Sequence, residues 1–248
     1  MSKILIVTGA SRGIGAATAR MAGRSGYDVG VNYRTNAAAA AAVADDIRAA
    51  GQRAVTVAGD MGREDDILRL FATVDAELGP LDALVNNAGI ITRAGRVADV
   101  EADDLRRMFE VNIVGCFLCA REAVRRMSTA HGGTGGAIVN VSSRAAGLGS
   151  PNEFVHYAAS KGAIDSFTLG LAKEVGAEGI RVNAVSPGLI DTDIHASTGL
   201  PDRVERFAPT VPIPRAGTAE EVAAPILWLL SDAASYVTAA NIHVAGGR

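Results

Sequence analysis

Seven short apolar runs rich in Ile, Val and Leu punctuate the chain, at Ile4–Val7, Val29–Tyr33, Ala54–Ala58, Ala83–Asn86, Ala137–Val141, Val182–Val185 and Asn241–Ala245. Longer helix-patterned segments separate them. The apolarity of each run is continuous rather than alternating, as a strand covered on both faces requires. Strands of that kind interleaved with helices build a parallel sheet sandwiched by helices, so the sequence predicts an α/β, doubly wound, seven-stranded fold. The alanine run Ala37–Ala42 continues through Val43 and Ile47 to Gly51 and reads as a helix with a glycine stop rather than as low complexity. The richest glycine stretch, His131–Gly136, is short and falls between a helix and a strand. With no linker and no internal repeat, residues 1–248 are expected to be one domain.

Composition narrows the function. The 24 basic and 27 acidic residues leave a formal net charge of -3, without the basic excess that binding to a phosphate backbone demands, so no nucleic-acid partner is expected. The start, MSKILIVTGA, holds only four consecutive strongly apolar residues, and no uninterrupted apolar stretch reaches the length of a membrane span. The expectation is a cytoplasmic protein with no membrane partner. The two cysteines, Cys116 and Cys119, sit in VNIVGCFLCAREAV and read as small core residues, since no exposed turn or further ligand accompanies them. His131, His156, His195 and His243 have no spacing with Cys or carboxylates that suits a metal, and none is expected.

After the first run comes TGASRGIG, Thr8–Gly15, with glycines at 9, 13 and 15 opening a helix. Such a turn lets the backbone approach a pyrophosphate and aims free helix N-terminal N–H groups at it. Glycines alone are weak evidence, but a strand before and a helix after make this a Rossmann-like dinucleotide site. The second run ends NYR, Asn32–Arg34, without the carboxylate that usually holds a ribose 2′-hydroxyl; Asp28 lies at its far end. Arg34 and Arg12 offer a 2′-phosphate charge-assisted contacts, so NADP(H) is favoured over NAD(H), although either arginine taken singly reads as surface charge. Asp60, with Met61, follows the third run, and its plain role would be to cap the helix that opens before Glu64.

The stretch YAASK places Tyr157 and Lys161 one helical turn apart on the same face. A free phenol, with a pKa of about 10, is a poor base at neutral pH, and a cation nearby would lower that value by about 1–3 units. Lys161 is placed to do so. The serine pair Ser142 and Ser143 follows a strand, where a turn or cap is the commoner reading. Asn112, inside an apolar helical run, has a plain role as a group satisfying local backbone.

Five motifs in this order, TGASRGIG, VNNAG (Val85–Gly89), VNVSS, YAASK and VSPG (Val185–Gly188), resemble the short-chain dehydrogenase/reductase family over essentially the full length. The wording of NYRTN, SRAAGLGSP, YAASKGAID and LLSDAASYVT is nearest to its glucose 1-dehydrogenase and 3-oxoacyl-carrier-protein reductase branch. The resemblance implies hydride transfer between nicotinamide and a carbonyl or secondary alcohol, with Tyr157 as general acid/base, Lys161 holding the nicotinamide ribose, Ser143 as second hydrogen-bonding group and Asn112 extending a proton relay. It implies cofactor contacts from Gly9, Ser11, Arg12, Gly13, Ile14 and Gly15, from Tyr33 and Arg34, from Asp60 and Met61 at the adenine, from Asn86, Ala88 and Gly89, and from Pro187, Gly188, Ile190 and Thr192 at the nicotinamide. Residues 189–209 become a substrate lid, Leu148, Asn152, Glu153 and His195 candidate pocket residues, and the assembly a homotetramer built on helices around 109–123 and 158–175. Ala239 and Ala245 depart from the family's YVTG and VDGG. A non-catalytic dinucleotide-sensing module is the alternative from another class, but it has no need of Ser143, Tyr157, Lys161 and Asn112 together.

Overall fold

The computed structural model describes residues 2–192, 200 and 202–248. Its strands are β1 Lys3–Val7, β2 Tyr27–Tyr33, β3 Ala54–Ala58, β4 Ala83–Asn86, β5 Gly136–Val141, β6 Ile180–Pro187 and β7 Asn241–Val244. All pairings are parallel, in the order β3-β2-β1-β4-β5-β6-β7. The helices are α1 Gly13–Arg24, α2 Ala37–Ala49, α3 Glu64–Glu77, α4 Ala102–Phe109, α5 Gly115–Met127, α6 Ala145–Leu148, α7 Val155–Val175, α8 Arg203–Phe207 and α9 Ala219–Leu230. The predicted doubly wound sheet is therefore present, each strand within a few residues of its apolar run.

Strand alternation divides the core into two layers. Leu5 and Val7 of β1 face α1, α2 and α9, packing with Ala19, Val43 and Ile226. Ile4 and Ile6 face the other side, where Ile67, Phe71 and Val74 of α3 meet Ala123 of α5 and Val175 of α7. Each fully buried Leu, Ile or Phe in such a layer contributes roughly 1.5–3 kcal/mol, which explains why the two-sided apolar runs, and not their flanks, became strands. Cys116 and Cys119 are both buried in α5, and burial pushes the Cys116 thiol up to about 12, so they are core residues as expected. Among the described residues no cluster could hold a metal ion, and no helix is long and apolar enough to cross a membrane.

Strand order reverses at β1, which pairs with β2 on one side and β4 on the other. Register keeps the carboxyl ends of the central strands level: Val7 lies opposite Val85, and Asn86 opposite Asn140. The loops that leave these ends therefore converge on one crevice, the place where open α/β sheets bind ligands.

Near the chain's end Ala239 adopts φ 61, a left-handed backbone held by its N–H to the Val182 carbonyl (2.8 Å) and by the Ala240 N–H to Asn183 Oδ1 (3.0 Å). A Cβ there costs about 1–2 kcal/mol. Ala239→Gly should stabilise the fold by about 1 kcal/mol, a rise in Tm of roughly 2–4 °C for a chain of this size, read by thermal unfolding. An unchanged midpoint would mean that this conformation carries no cost here.

Candidate active site

The glycine turn after β1 is fastened from two sides. Asn32, at the end of β2, accepts the Gly9 N–H on Oδ1 (3.0 Å) and the Ala10 N–H on its carbonyl (2.7 Å). Asn87, just past β4, donates Nδ2 to the Thr8 and Gly9 carbonyls (2.8 and 3.0 Å), while Thr8 Oγ1 accepts the N–H groups of Asn87 and Ala88. A Cβ on Gly15 would stand 2.4 Å from both Asn87 Nδ2 and the Gly9 carbonyl oxygen, so only glycine allows the helix to start this close to the turn. The resulting α1 N-terminus has no side-chain cap and no acidic residue in its first turn, leaving its N–H groups for an anion. Arg12 and Arg34 are exposed, and among the described residues neither side chain makes a hydrogen bond or ion pair.

Across the crevice, β5 ends at Val141 and delivers Ser142 and Ser143, which point differently. Both residues line the cavity, but Ser142 is buried and its hydroxyl donates to the Lys161 carbonyl (3.3 Å), whereas Ser143 is half-buried and accepts the Ala145 N–H on Oγ (3.1 Å). Tyr157 and Lys161, in the first two turns of α7, line the same cavity, together with Ile14, Asn87 and Gly89 from the nucleotide side. Burial pushes the Tyr157 phenol up to about 12, and the Ser143 hydroxyl beside it acts weakly the other way. The ring is partly reachable from the cavity, yet most of its surroundings are protein, which disfavours a phenolate. Lys161 is 5% exposed and donates Nζ to the Val141 carbonyl (2.8 Å); burial brings its ammonium down to about 8, with Cys116 and Asp165 opposing.

Behind them the chain between α4 and α5 forms a π-helical turn, Glu110–Val114. Asn112 in this turn is buried; it accepts the Ile90 N–H (2.8 Å) and donates to the Ile90 carbonyl (2.9 Å) and to Ser160 Oγ (3.1 Å). Ser160 Oγ in turn donates to the Tyr157 carbonyl (2.7 Å). Asn112 Oδ1 and Lys161 Nζ both lie within 3.5 Å of the point where a Gly89 Cβ would stand. The two groups thus share one polar pocket beneath the crevice.

A family model described as Enoyl-(Acyl carrier protein) reductase matches residues 9–248. The Uncharacterized oxidoreductase YgfF of Escherichia coli is 52% identical to this chain, over 99% of each. The cis-4-hydroxycyclohexanecarboxylate dehydrogenase of Sinomonas cyclohexanicum is 42% identical over 99% of this chain and 96% of its own. A crystal structure of a short chain dehydrogenase from Burkholderia cenocepacia in complex with NADP matches at TM-score 0.91 and 33% identity, over 99% of this chain and 97% of that one. The chain is a short-chain dehydrogenase/reductase. It is accordingly an oxidoreductase of a family that works with nicotinamide cofactors.

Within this short-chain dehydrogenase/reductase the predicted residues fall into groups. Ser143, Tyr157, Lys161, Ile14, Gly89, Pro187, Gly188, Ile190 and Thr192 line one cavity; Gly9, Ser11, Arg12, Gly13, Gly15 and Ala88 form or back the glycine turn, and Tyr33 packs partly buried beside Arg34 at the end of β2. Four expectations are corrected. Asn86 is turned inward by strand alternation and donates to Asn140 Oδ1 (3.0 Å) and the Cys116 carbonyl (3.3 Å), so its neighbour Asn87 is the one facing the cavity. The Met61 side chain is buried against Cys119, 3.8 Å between sulfurs, and belongs to the core. Asp60 does not cap α3, whose N-cap is Arg63; it accepts the Gly62 N–H (2.9 Å) and pairs with Arg107. Burial raises the Asp60 carboxyl, but Arg107, the Gly62 N–H and the charge of Arg34 outweigh it and hold the group below the usual carboxylate range.

The fourth correction concerns Tyr157, whose pKa is raised rather than lowered. Lys161 Nζ stands 5.7 Å from the centroid of the phenol ring and is engaged by the Val141 carbonyl, so its charge does not offset the desolvation. Of the candidate pocket residues, Leu148 lines the cavity, Glu153 instead pairs with Arg203 and Arg206, Asn152 lies outside the lining, and His195 falls outside the described residues, as do 193–199 and 201 of the expected lid. His156 points away from the cavity to Thr92 Oγ1, 3.0 Å from Nε2. Asn32, Thr8, Asn87 and Ser160 escaped sequence reasoning. The only signal for them was that each stands inside a stretch singled out for other residues, NYR, TGASRGIG, VNNAG or YAASK, and what each one bonds is decided largely by other elements of the fold.

Proposed function

We propose that the protein is an NADP(H)-dependent oxidoreductase that interconverts a carbonyl and a secondary alcohol, with Tyr157 as the general acid/base. The observation that carries this reading is the convergence of the Tyr157 phenol and the Ser143 hydroxyl on one cavity, with buried Lys161 behind them and the open α1 N-terminus across from them. The residues fit a nicotinamide dinucleotide: glycines clear the turn, its N–H groups carry no side-chain cap, and the side chains of Arg12 and Arg34 are unpaired among the described residues. When bound, the nicotinamide supplies or accepts the hydride. Tyr157, neutral throughout the physiological range, donates its proton to the carbonyl oxygen in reduction and takes it back in oxidation, while Ser143 supplies a second hydrogen bond to that oxygen. Lys161, tied to Val141, and Asn112, through Ser160, hold the register of α7 under the phenol.

The absence of a carboxylate at the end of β2, together with two arginine side chains that are unpaired among the described residues, supports NADP(H) over NAD(H). The NADP found in the Burkholderia cenocepacia relative agrees with that choice. A ring secondary alcohol, as in the name of the Sinomonas cyclohexanicum relative, falls within the proposed substrate class. The same reading takes the protein as a cytoplasmic homotetramer, its contact face including the exposed Val114, Phe117 and Leu169, with Phe117 stacked on Phe167 at 3.7 Å. A panel of ketones, sugars, steroids and acyl thioesters, followed by the absorbance of the reduced nicotinamide, tests the reaction class. Turnover of none of them by an enzyme that binds NADPH would favour the sensing module instead.

The pH profile is a further check. The phenol stays protonated up to about 12, whereas Lys161 is charged below about 8 and neutral above it. Because kcat/KM reports groups of the free enzyme, it should be level on the acid side and fall as pH rises through about 8. A limb that first appears above about 10 would assign the titration to the phenol rather than to Lys161.

A further inference from the structure

The side of the cavity away from the glycine turn is lined by Arg144, Arg203 and Arg248, so that with Lys161 it presents four cationic side chains and, among the described residues, no Asp or Glu. Much of the remaining lining there is apolar, with Ile91, Leu148 and Phe154. A concave apolar surface carrying charge of one sign focuses an electric field on whatever enters.

The three arginines differ in how far they are committed. Arg203 pairs with Glu153 and is held over the rings of Phe154 and Phe207, 5.0 Å from each centroid. It is a wall. Arg144 donates Nε to the main-chain oxygen of Arg248 (2.8 Å) and has one guanidinium nitrogen 3.3 Å from His243 Nε2. The Arg248 guanidinium rests over the Phe207 ring at 5.3 Å, and neither Arg144 nor Arg248 is paired with a carboxylate side chain among the described residues.

The position of Arg248 is built by the fold. Gly246 and Gly247 take φ 60 and 93, and the Arg248 N–H closes onto the Ala245 carbonyl (3.1 Å), which turns the chain back toward the crevice. The Ile213 N–H binds the Gly246 carbonyl (2.9 Å), and a Cβ on Gly247 would stand 3.0 Å from Pro212. The strand from which Arg248 turns lies far from the glycine turn: β7 is four strands from β1 in the sheet, roughly 19 Å at the usual spacing.

We infer that the substrate is a carboxylic acid on an otherwise apolar body, its carboxylate anchored by Arg248 with help from Arg144 while the carbonyl or alcohol carbon is presented to Tyr157. This rests on the carbonyl–alcohol reading above and names the substrate class for that site. The planar guanidinium matches a carboxylate bidentately, and its apolar setting strengthens the pair relative to water.

The test measures binding apart from turnover. Benzoate and benzamide, of nearly equal shape, are titrated by calorimetry into the enzyme saturated with NADP⁺, and benzoate should bind at least about tenfold more tightly, a charge-assisted pair replacing a neutral one. Arg248→Met should abolish that preference and Arg248→Lys should keep part of it, a rescue that a merely structural role would not give. In turnover, 4-oxopentanoate should be preferred to its methyl ester by wild type, and the ratio should collapse in Arg248→Met. Equal binding of acid and amide by wild type, or a preference that survives both Arg248→Met and Arg144→Met, overturns the inference. If NADPH binds and a neutral ketone is reduced while that preference is missing, only the anchor is wrong. Failure to bind NADPH, or full activity in Tyr157→Phe, would instead strike the parent reading.

Discussion

Tyr157→Phe should lower kcat for carbonyl reduction by about 10²–10⁴-fold, the usual contribution of a positioned acid, while leaving the dissociation constant for NADPH within about twofold. Only the hydroxyl is lost. The ring remains in the first turn of α7, and Lys161 keeps its bond to the Val141 carbonyl, so the nucleotide side of the cavity is undisturbed. The substrate oxygen would then retain Ser143 alone, with no proton to offset the charge that develops on it. Steady-state kinetics paired with fluorescence titration of NADPH separates the two effects. Activity close to wild type would remove Tyr157 from its assigned role, and a parallel loss of NADPH affinity would make the hydroxyl a binding group. The raised phenol, at about 12, adds a direction: reduction always finds the acid form present, whereas oxidation asks an unfavourable base to accept a proton.

Arg34→Asp should reverse cofactor preference, changing the ratio of kcat/KM for NADPH over NADH by about 10²-fold or more. The basis is the loss of a charge-assisted contact, worth about 1.5–3 kcal/mol, combined with repulsion of a 2′-phosphate by the new carboxylate and its capacity to accept a ribose hydroxyl. Arg34 is exposed, unbonded among the described residues, and close enough to Asp60 to help hold that carboxyl low. Its replacement therefore adds an acid beside an acid, and part of the NADPH loss will carry that repulsion; Arg34→Ala, which lacks the new charge, gives the contact alone. Parallel kinetics with both cofactors at fixed ionic strength decides the matter, because surface charge is screened by salt. An unchanged ratio in Arg34→Asp would tell against the phosphate contact, and Arg12 would be the next residue to replace.

Much of this was readable in the sequence, for local reasons. Continuous β-branched runs mark strands buried on both sides, and their order along the chain leaves few topologies, so β1 to β7 lie where the apolar runs are. Cys116 and Cys119 read correctly as core because no exposed turn or further ligand accompanies them in the sequence. Asn86 and Asn87 show where such reading stops. A one-residue difference in a strand decides between core and cavity, and only pairing with Asn140 and Thr8 shows which is which.

The sequence by itself determined the parallel sheet, the glycine turn at the end of β1 and the one-turn spacing of Tyr157 and Lys161, since each depends on residues a few positions apart. Only the tertiary structure decided that burial outweighs the lysine's charge on the phenol, that Asp60 answers to Arg107 rather than to its own helix, and that Arg144 and Arg248 meet at one cavity. Desolvation and charge pairing are sums over neighbours from many elements, and a chain brings residues 104 positions apart into contact only by folding.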